Sequence, residues 1–244
     1  MGVGDVSRGI PIVPHARFVP FVLPASEGTT VMKAIRPSET WLLLNSGMGT
    51  PEHNMALDVE LMQTASERGM PLLRFYGWTQ PAASYGYFQK LELVESLTKL
   101  RPLVRRPTGG GLVPHNADWT YSLAFPPGHW WYRLTAKESY RTLHEWIRDA
   151  FARCGVSTEL SISQVKEGPG QCFVGAEESD LLRDQKKIAG AAQRRKREGL
   201  LSQGSVQPGG LDLGRGLWED ALCHIASQQW NVVWRQLDRS TQIA

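Results

Sequence analysis

Cysteine is scarce in this chain. Cys154, Cys172 and Cys223 are spread over 244 residues with no Cys-x-x-Cys pair among them. An odd, sparse set argues against a disulfide framework and against a zinc site held by paired thiolates. It points instead to a reducing compartment, the cytoplasm, and to a protein without a structural metal. Long apolar runs are missing as well, and none approaches the ~20 residues of a membrane-spanning helix. The N-terminal FVPFVL is short, contains Pro20 and lacks the charged-then-apolar layout of a signal peptide. A strong charge imbalance is also absent. Lys and Arg number 27 against 24 Asp and Glu, a net +3 that does not call for nucleic acid and suits an acidic protein surface equally well. No repeat, low-complexity tract, GxGxxG fingerprint or Gly-Lys-Ser/Thr phosphate loop occurs.

What is present is an ordinary globular composition, 41% hydrophobic and 21% charged, on a chain long enough to bury a sizeable core. Residues 1–38 carry no readable pattern and stand as an extension of unknown role before a domain at 39–244. WLLLN (41–45) reads as a buried strand. After Pro51, the spacing of Met55, Val59, Leu61, Met62 and Ala65 predicts a helix closed by Gly69. PLLRFYGW and ASYGYFQ look like one pair of strands, and LVRRPTGGGLVPH and DWTYSLAFP like another joined across the glycines. Thr135 and Glu138 form a capping box that starts a helix carrying Tyr140, Leu143, Ile147, Ala150, Phe151 and Cys154 on one face. KKIAGAAQRRKREGLLSQGSV reads as a hairpin turning near Glu198-Gly199, and a last helix is expected from about Leu217 to Leu237. Cys154 and Cys223 thereby become packing thiols. Strands with segregated helices indicate a single α+β domain of mixed and antiparallel sheets flanked by helices.

Three stretches carry candidate chemistry. In RRPTGGGLVPH, Gly109, Gly110 and Gly111 expose successive backbone N–H groups that can converge on an anion or carbonyl, with Arg105 and Arg106 adding charge. A plain hairpin turn is the alternative reading. His115, at the end of that stretch, is a candidate acid or base, or a hydrogen-bonded structural residue. Cys172 differs from the other two thiols because it sits in the Gly/Pro-bounded GPGQCFVG. A nucleophile there needs a nearby cation to lower its pKa from about 8.5, and Lys186 and Lys187 are the nearest in sequence. Arg194-Arg195-Lys196-Arg197 is a solvated hairpin tip or a docking patch for an acidic partner. Aromatic residues do not interleave with it, which speaks against nucleic acid.

Taken together, RRPTGGGLVPH with DWTYSLAF, then KKIAGAAQRRKREGLLSQGSV, with HNMALD and LRFYGW...ASYGYFQ upstream, resemble the lipoate-protein ligase and octanoyltransferase family, related to biotin ligases. The likeness runs over roughly residues 40–206. It implies a biotin/lipoate ligase-like catalytic core that attaches octanoyl or lipoyl groups to a lysine of a carrier protein. It places Arg74, Arg106, Gly109, Gly110, Gly111, His115 and Gly190 at the acyl site, with Lys187 at the reacting head.

The family divides by chemistry. Ligases activate a free acid with ATP and Mg through an acyl-adenylate, which Lys187 would contact. Cysteine-dependent octanoyltransferases take the acyl group from acyl carrier protein onto a cysteine in a Cys-Phe loop ahead of the lysine, and need no cofactor. Cys172-Phe173 and Lys187 occupy those places, and the chain ends soon after the core, so the resemblance is nearest to the transferases. Asp180 is retained between the two, although GAEESD replaces a stretch that usually contains Pro-Ser. The implied partners are octanoyl-acyl carrier protein and a lipoyl carrier domain, of a glycine-cleavage carrier or a dehydrogenase subunit. An ATP-dependent ligase and a non-catalytic binding module remain the alternatives.

Overall fold

The computed structural model describes residues 37–163, 165–166 and 175–238, and residues 1–36, with most of the N-terminal extension, lie outside them. The first strand, β1 (Glu39–Gly49), leads through Thr50, which caps α1 (Pro51–Arg68) by accepting the His53 N–H, and the helix closes on left-handed Gly69. The chain continues through β2 (Leu72–Trp78), β3 (Ala82–Tyr85), α2 (Leu91–Leu97), β4 (Leu103–Arg105), β5 (Val113–His115) and β6 (Trp119–Phe125). After a 3₁₀ turn at Trp131–Arg133 comes α3 (Ala136–Arg153). Its capping box forms as expected: Thr135 accepts the Glu138 N–H and Glu138 accepts the Thr135 N–H. Next are β7 (Glu159–Leu160), β8 (Val165–Lys166), β9 (Gly175–Ala176), β10 (Leu181–Arg183), β11 (Lys186–Lys196), β12 (Gly199–Val206), α4 (Arg215–Trp230) and β13 (Val232–Gln236).

Eight strands form one mixed sheet in the order β13-β1-β2-β6-β12-β11-β10-β7. β1 runs parallel to β13 and β2, and every other pairing is antiparallel. Strand alternation divides its side chains between two layers. Trp41, Leu73, Phe75, Tyr121, Leu123 and Phe125 point to α3 and α4, where Trp41 stacks on Trp230 at 5.9 Å and meets Phe125 edge-on at 5.5 Å. Such aromatic pairs add about 0.5–1.5 kcal/mol each beyond the area they bury. On the other face Leu42, Leu44, Leu72 and Ala124 pack under Leu57, Leu61 and Met62 of α1. Val59, expected on the core face, is exposed, and Leu57 takes its place.

Two expected pairings differ. β2 is buried along its whole length and both its edges are taken, by β1 and β6, so it has none left for ASYGYFQ. β3 instead forms a separate three-stranded sheet with β4 and β5. The strands on either side of the glycines, β4 and β5, therefore each pair with β3, while DWTYSLAF lies in the large sheet as β6. The last helix also stops sooner than expected. Asn231 adopts a left-handed conformation (φ 56°), and Val232 and Val233 then run as a strand beside β1. The hairpin of β11 and β12 forms as expected, with Arg195, Lys196 and Arg197 exposed at its tip and Arg194 stacked over Tyr87.

The glycine loop is pinned where β3 ends. Gly110 needs its glycine because φ is +84°, and a Cβ on Gly86 would overlap the Gly110 carbonyl oxygen. A Cβ on Gly109 would meet nothing within 4 Å. Gly86→Ala is therefore expected to destabilise the fold by about 1–3 kcal/mol through overpacking, while Gly109→Ala stays within about 0.5 kcal/mol of the parent. Urea denaturation of the two variants checks this, and equal stabilities would contradict the packing described.

Candidate active site

Beneath the glycine loop lies a layer of buried polar groups centred on Asp58. Four-residue spacing on α1 brings Asn54 and Asp58 to the face that covers the sheet. Asp58 is fully buried and both its oxygens are saturated. Oδ1 accepts from Arg74 Nη1 at 2.7 Å and Ser122 Oγ at 2.6 Å; Oδ2 accepts from Gln203 Nε2 at 2.7 Å and Tyr76 Oη at 3.2 Å. Arg74 spends its other donors on Ser46 Oγ, on the Asn54 carbonyl and on Asn54 Oδ1. Burial, reinforced by the Asp58 charge, pushes the Tyr76 phenol well above its ordinary range, so it remains a donor.

Gln203 carries this order to the loop, because its Oε1 accepts from Thr108 Oγ1 at 2.8 Å. Arg106 fixes the loop from the other side. Its Nε and Nη2 donate to the Gly109 carbonyl at 3.0 and 2.6 Å, Nη2 also to the Gly111 carbonyl at 2.6 Å, and Nη1 to the Ser84 carbonyl at 3.1 Å. The glycine carbonyls are thus used internally, as acceptors for a buried guanidinium.

Above the layer opens a cavity of about 440 Å³, mouth included. Met55, Tyr76, Trp78 and Val113 give it apolar walls, a composition suited to an alkyl chain. Arg106, His115, Lys187 and Gly190 also line it. Arg74 and Gly109 to Gly111 are not among its described lining: Arg74 sits below as the partner of Asp58, and the glycines form the loop that Arg106 holds.

Lys187 reaches the cavity from β11. It pairs with Asp180 Oδ2 at 2.7 Å, and the two side chains are only 7% and 0% exposed. Asp180 is built for this, accepting also from the Glu177 N–H at 2.6 Å and, through Oδ1, from Tyr140 Oη in a short bond. Gly190 makes room for the lysine, since a Cβ there would stand 2.7 Å from Lys187 Cε and 2.9 Å from Nζ. Burial raises the Tyr140 phenol well above its ordinary range, with the Asp180 charge adding to it, so it too stays protonated. His144, wholly buried on the same helix, is pushed down to about 4 by desolvation and is neutral. The Lys187 side chain is thus buried in the cavity wall against the Asp180 carboxylate.

His115 is set between two partners. Nδ1 lies 2.8 Å from Asp118 Oδ2 and Nε2 lies 2.8 Å from Ser84 Oγ, while the ring stacks on Trp78 at 3.9 Å. Of the expected site residues, Lys187, Arg106, His115 and Gly190 converge on one cavity, and Cys172 lies outside the described residues. β8 and β9, paired antiparallel, come before and after it in sequence. The other two thiols pack against the core. Burial raises the pKa of Cys154 and, with Asp220 and Glu219, pushes Cys223 up to about 12, so neither is a thiolate at neutral pH. Among the described residues no group of His, Cys, Asp and Glu could hold a metal, and no helix is long and apolar enough to cross a membrane.

Sequence reasoning gave no chemical role to Asp58, Ser84, Asp118, Tyr140 or Gln203, and noted Asp180 only as a residue retained between Cys172 and Lys187. Asp58 left a signal of its own, a carboxylate on the face of α1 that covers the sheet.

Residues 50–208 match the family model described as lipoyl protein ligase A/B catalytic domain. Curated relatives include octanoyltransferase LipM of Macrococcus caseolyticus, 34% identical over 181 residues, and that of Bacillus subtilis, also 34% identical over 181 residues. The LipM of Staphylococcus aureus is 32% identical over 182 residues. These matches span 69% of this chain and 65–66% of the length of the relatives. Among solved structures, a lipoate-protein ligase A bound with ATP superposes with a TM-score of 0.64 at 18% identity, covering 84% of this chain and 92% of that one. A bipartite lipoate protein ligase from Thermoplasma acidophilum gives a TM-score of 0.60 at 17% identity, over 84% and 91% of the two chains. The fold is theirs, and the chain belongs to the lipoyl protein ligase A/B catalytic domain family.

Proposed function

We propose that the protein is an octanoyltransferase of protein lipoylation, acting through a thioester on Cys172. The observation that carries the reading is the Lys187–Asp180 pair, an ammonium held in the dry wall of an apolar cavity on the hairpin that follows Cys172 in sequence. The naming of its curated relatives as octanoyltransferases supports it. A neutral amine there would give a neighbouring thiol no help, whereas an ammonium favours the thiolate and lowers its pKa. Asp180 gives the lysine a carboxylate partner within the wall, and Gly190 gives it space.

The reaction runs in two transfers. The Cys172 thiolate attacks the carbonyl carbon of an octanoyl thioester on acyl carrier protein; the new C–S bond forms as the old one breaks, and the carrier leaves as its thiolate. The alkyl chain lies between Met55, Tyr76, Trp78 and Val113. The ε-amine of a lysine on a lipoyl carrier domain then attacks the acyl-enzyme, forming an amide and returning the cysteine. The first step exchanges like for like and the second is downhill, so neither ATP nor Mg is required. The carrier domains of glycine cleavage or of dehydrogenase subunits are acceptors of the right kind, in the cytoplasm.

Wild type with octanoyl-acyl carrier protein and a lipoyl domain, without ATP, is expected to give an octanoylated domain and, when the domain is left out, an octanoyl adduct on Cys172. Cys172→Ser is expected to lose transfer to the domain. Intact mass reads both, and modification that needs ATP and survives Cys172→Ser would make the protein a ligase instead. Lys187→Ala removes the cation, so the Cys172 pKa must rise and the midpoint of its alkylation by iodoacetamide move to higher pH. An unmoved midpoint would remove Lys187 from this role.

A further inference from the structure

The proposed chemistry leaves one constellation in the cavity wall unused. Asp118, His115 and Ser84 stand in a continuous hydrogen-bonded row. Asp118 Oδ2 lies 2.8 Å from His115 Nδ1, and His115 Nε2 lies 2.8 Å from Ser84 Oγ. All three are buried, and both Ser84 and His115 line the cavity of about 440 Å³ that also holds Lys187.

The neighbours fix the direction of every proton. Thr120 Oγ1 accepts from Trp78 Nε1 at 2.7 Å and donates to Asp118 Oδ2 at 3.0 Å. Ser205 Oγ accepts from Gln207 Nε2 at 3.1 Å and donates to the same oxygen at 2.7 Å. The Asp118 carboxylate is thus purely an acceptor, which places the hydrogen of a neutral His115 on Nδ1. Nε2 is then bare and faces the Ser84 hydroxyl as a base. Trp78, stacked on the ring, holds it in that plane. Arg106 Nη1 lies 3.3 Å from Ser84 Oγ, so a guanidinium adjoins the nucleophilic oxygen. Nucleophile, base and orienting carboxylate in hydrogen-bond contact, opening on an apolar cavity, are the geometric requirements of acyl-transfer chemistry at a serine.

We propose that Ser84 is a second nucleophile of this cavity, activated by His115 and oriented through Asp118, which gives the protein hydrolytic activity toward medium-chain acyl thioesters. Ser84 Oγ attacks the carbonyl carbon and passes its proton to His115 Nε2. The tetrahedral adduct expels the thiol, which takes the proton from His115, leaving an ester on Ser84. Water then attacks that ester, gives a proton to Nε2, and Ser84 leaves with it, releasing the fatty acid. The balance is thioester plus water to acid plus thiol. The choice of acyl length rests on the octanoyltransferase reading given above; the serine chemistry rests only on the three side chains.

The experiment uses Cys172→Ala, which removes the proposed principal nucleophile. It is treated with an octyl fluorophosphonate, and separately with the octanoyl thioester of N-acetylcysteamine, following the released thiol. Phosphonylation of the peptide containing Ser84 is expected, together with thiol release that falls at least about 100-fold in Cys172→Ala/Ser84→Ala and in Cys172→Ala/His115→Gln. An unlabelled Ser84 in a folded Cys172→Ala protein overturns the proposal, and this arm needs no second substitution. Thiol release unchanged by Ser84→Ala overturns it as well. Octanoyl transfer to a lipoyl domain is measured separately on wild type. Transfer without a labelled serine sinks this inference alone, and a labelled serine without transfer sinks only the transferase.

Discussion

The structure depends on one carboxylate. Asp58 joins elements that meet nowhere else in sequence: α1 supplies it, β2 brings Arg74 and Tyr76, β6 brings Ser122 and β12 brings Gln203. An ion pair out of contact with water is worth little against a hydrophobic replacement, yet removing one partner costs about 3–5 kcal/mol because the other charge is left alone. Such a pair therefore stabilises less than it specifies. Only one register of α1 over the sheet satisfies four donors at once, and through Gln203 and Thr108 that register also sets the glycine loop. The floor of the cavity and its rim are thereby positioned by the same group.

In the proposed mechanism a second carboxylate does for the chemistry what the first does for the architecture. An ammonium buried in a cavity wall is costly without a counter-ion. Asp180 supplies one, and Tyr140 and the Glu177 N–H hold Asp180 in turn. The arrangement differs from the simplest picture of a lysine paired with a thiolate alone, because the ammonium already has a permanent partner. On the proposed reading its field, shared between a carboxylate and the anion at the reacting head, favours a thiolate without binding it so firmly that nucleophilicity is lost.

How much was legible in the chain follows from how local each signal is. The α3 capping box, the α1 stop at Gly69 and the β11–β12 hairpin are set by residues a few positions apart, and each formed where the sequence places it. The partners of β2, β3, β4 and β5 are set by which strand edges remain available, and no window of sequence records that. The final strand was hidden for a similar reason: β13 exists because β1 offers it an edge, and its only local sign is Asn231 ahead of two valines. In the site, motif-borne residues such as His115, Lys187 and Gly190 were readable. Their partners Ser84 and Asp180 come from other strands and loops; Asp180 was visible only as a retained motif residue, and both pairings emerge only when the chain is folded.

The central claim is that the space between Met55, Tyr76, Trp78 and Val113 receives an acyl chain whose carbonyl end lies against Lys187. A crystal structure with a non-hydrolysable octanoyl thioester analogue, a ketone in place of the thioester, tests it most directly. The expected result is the eight-carbon chain lying in that cavity, with the ketone oxygen within hydrogen-bond reach of the wall that carries Lys187. An alkyl chain bound elsewhere, or a cavity closed by side chains in the complex, would contradict it.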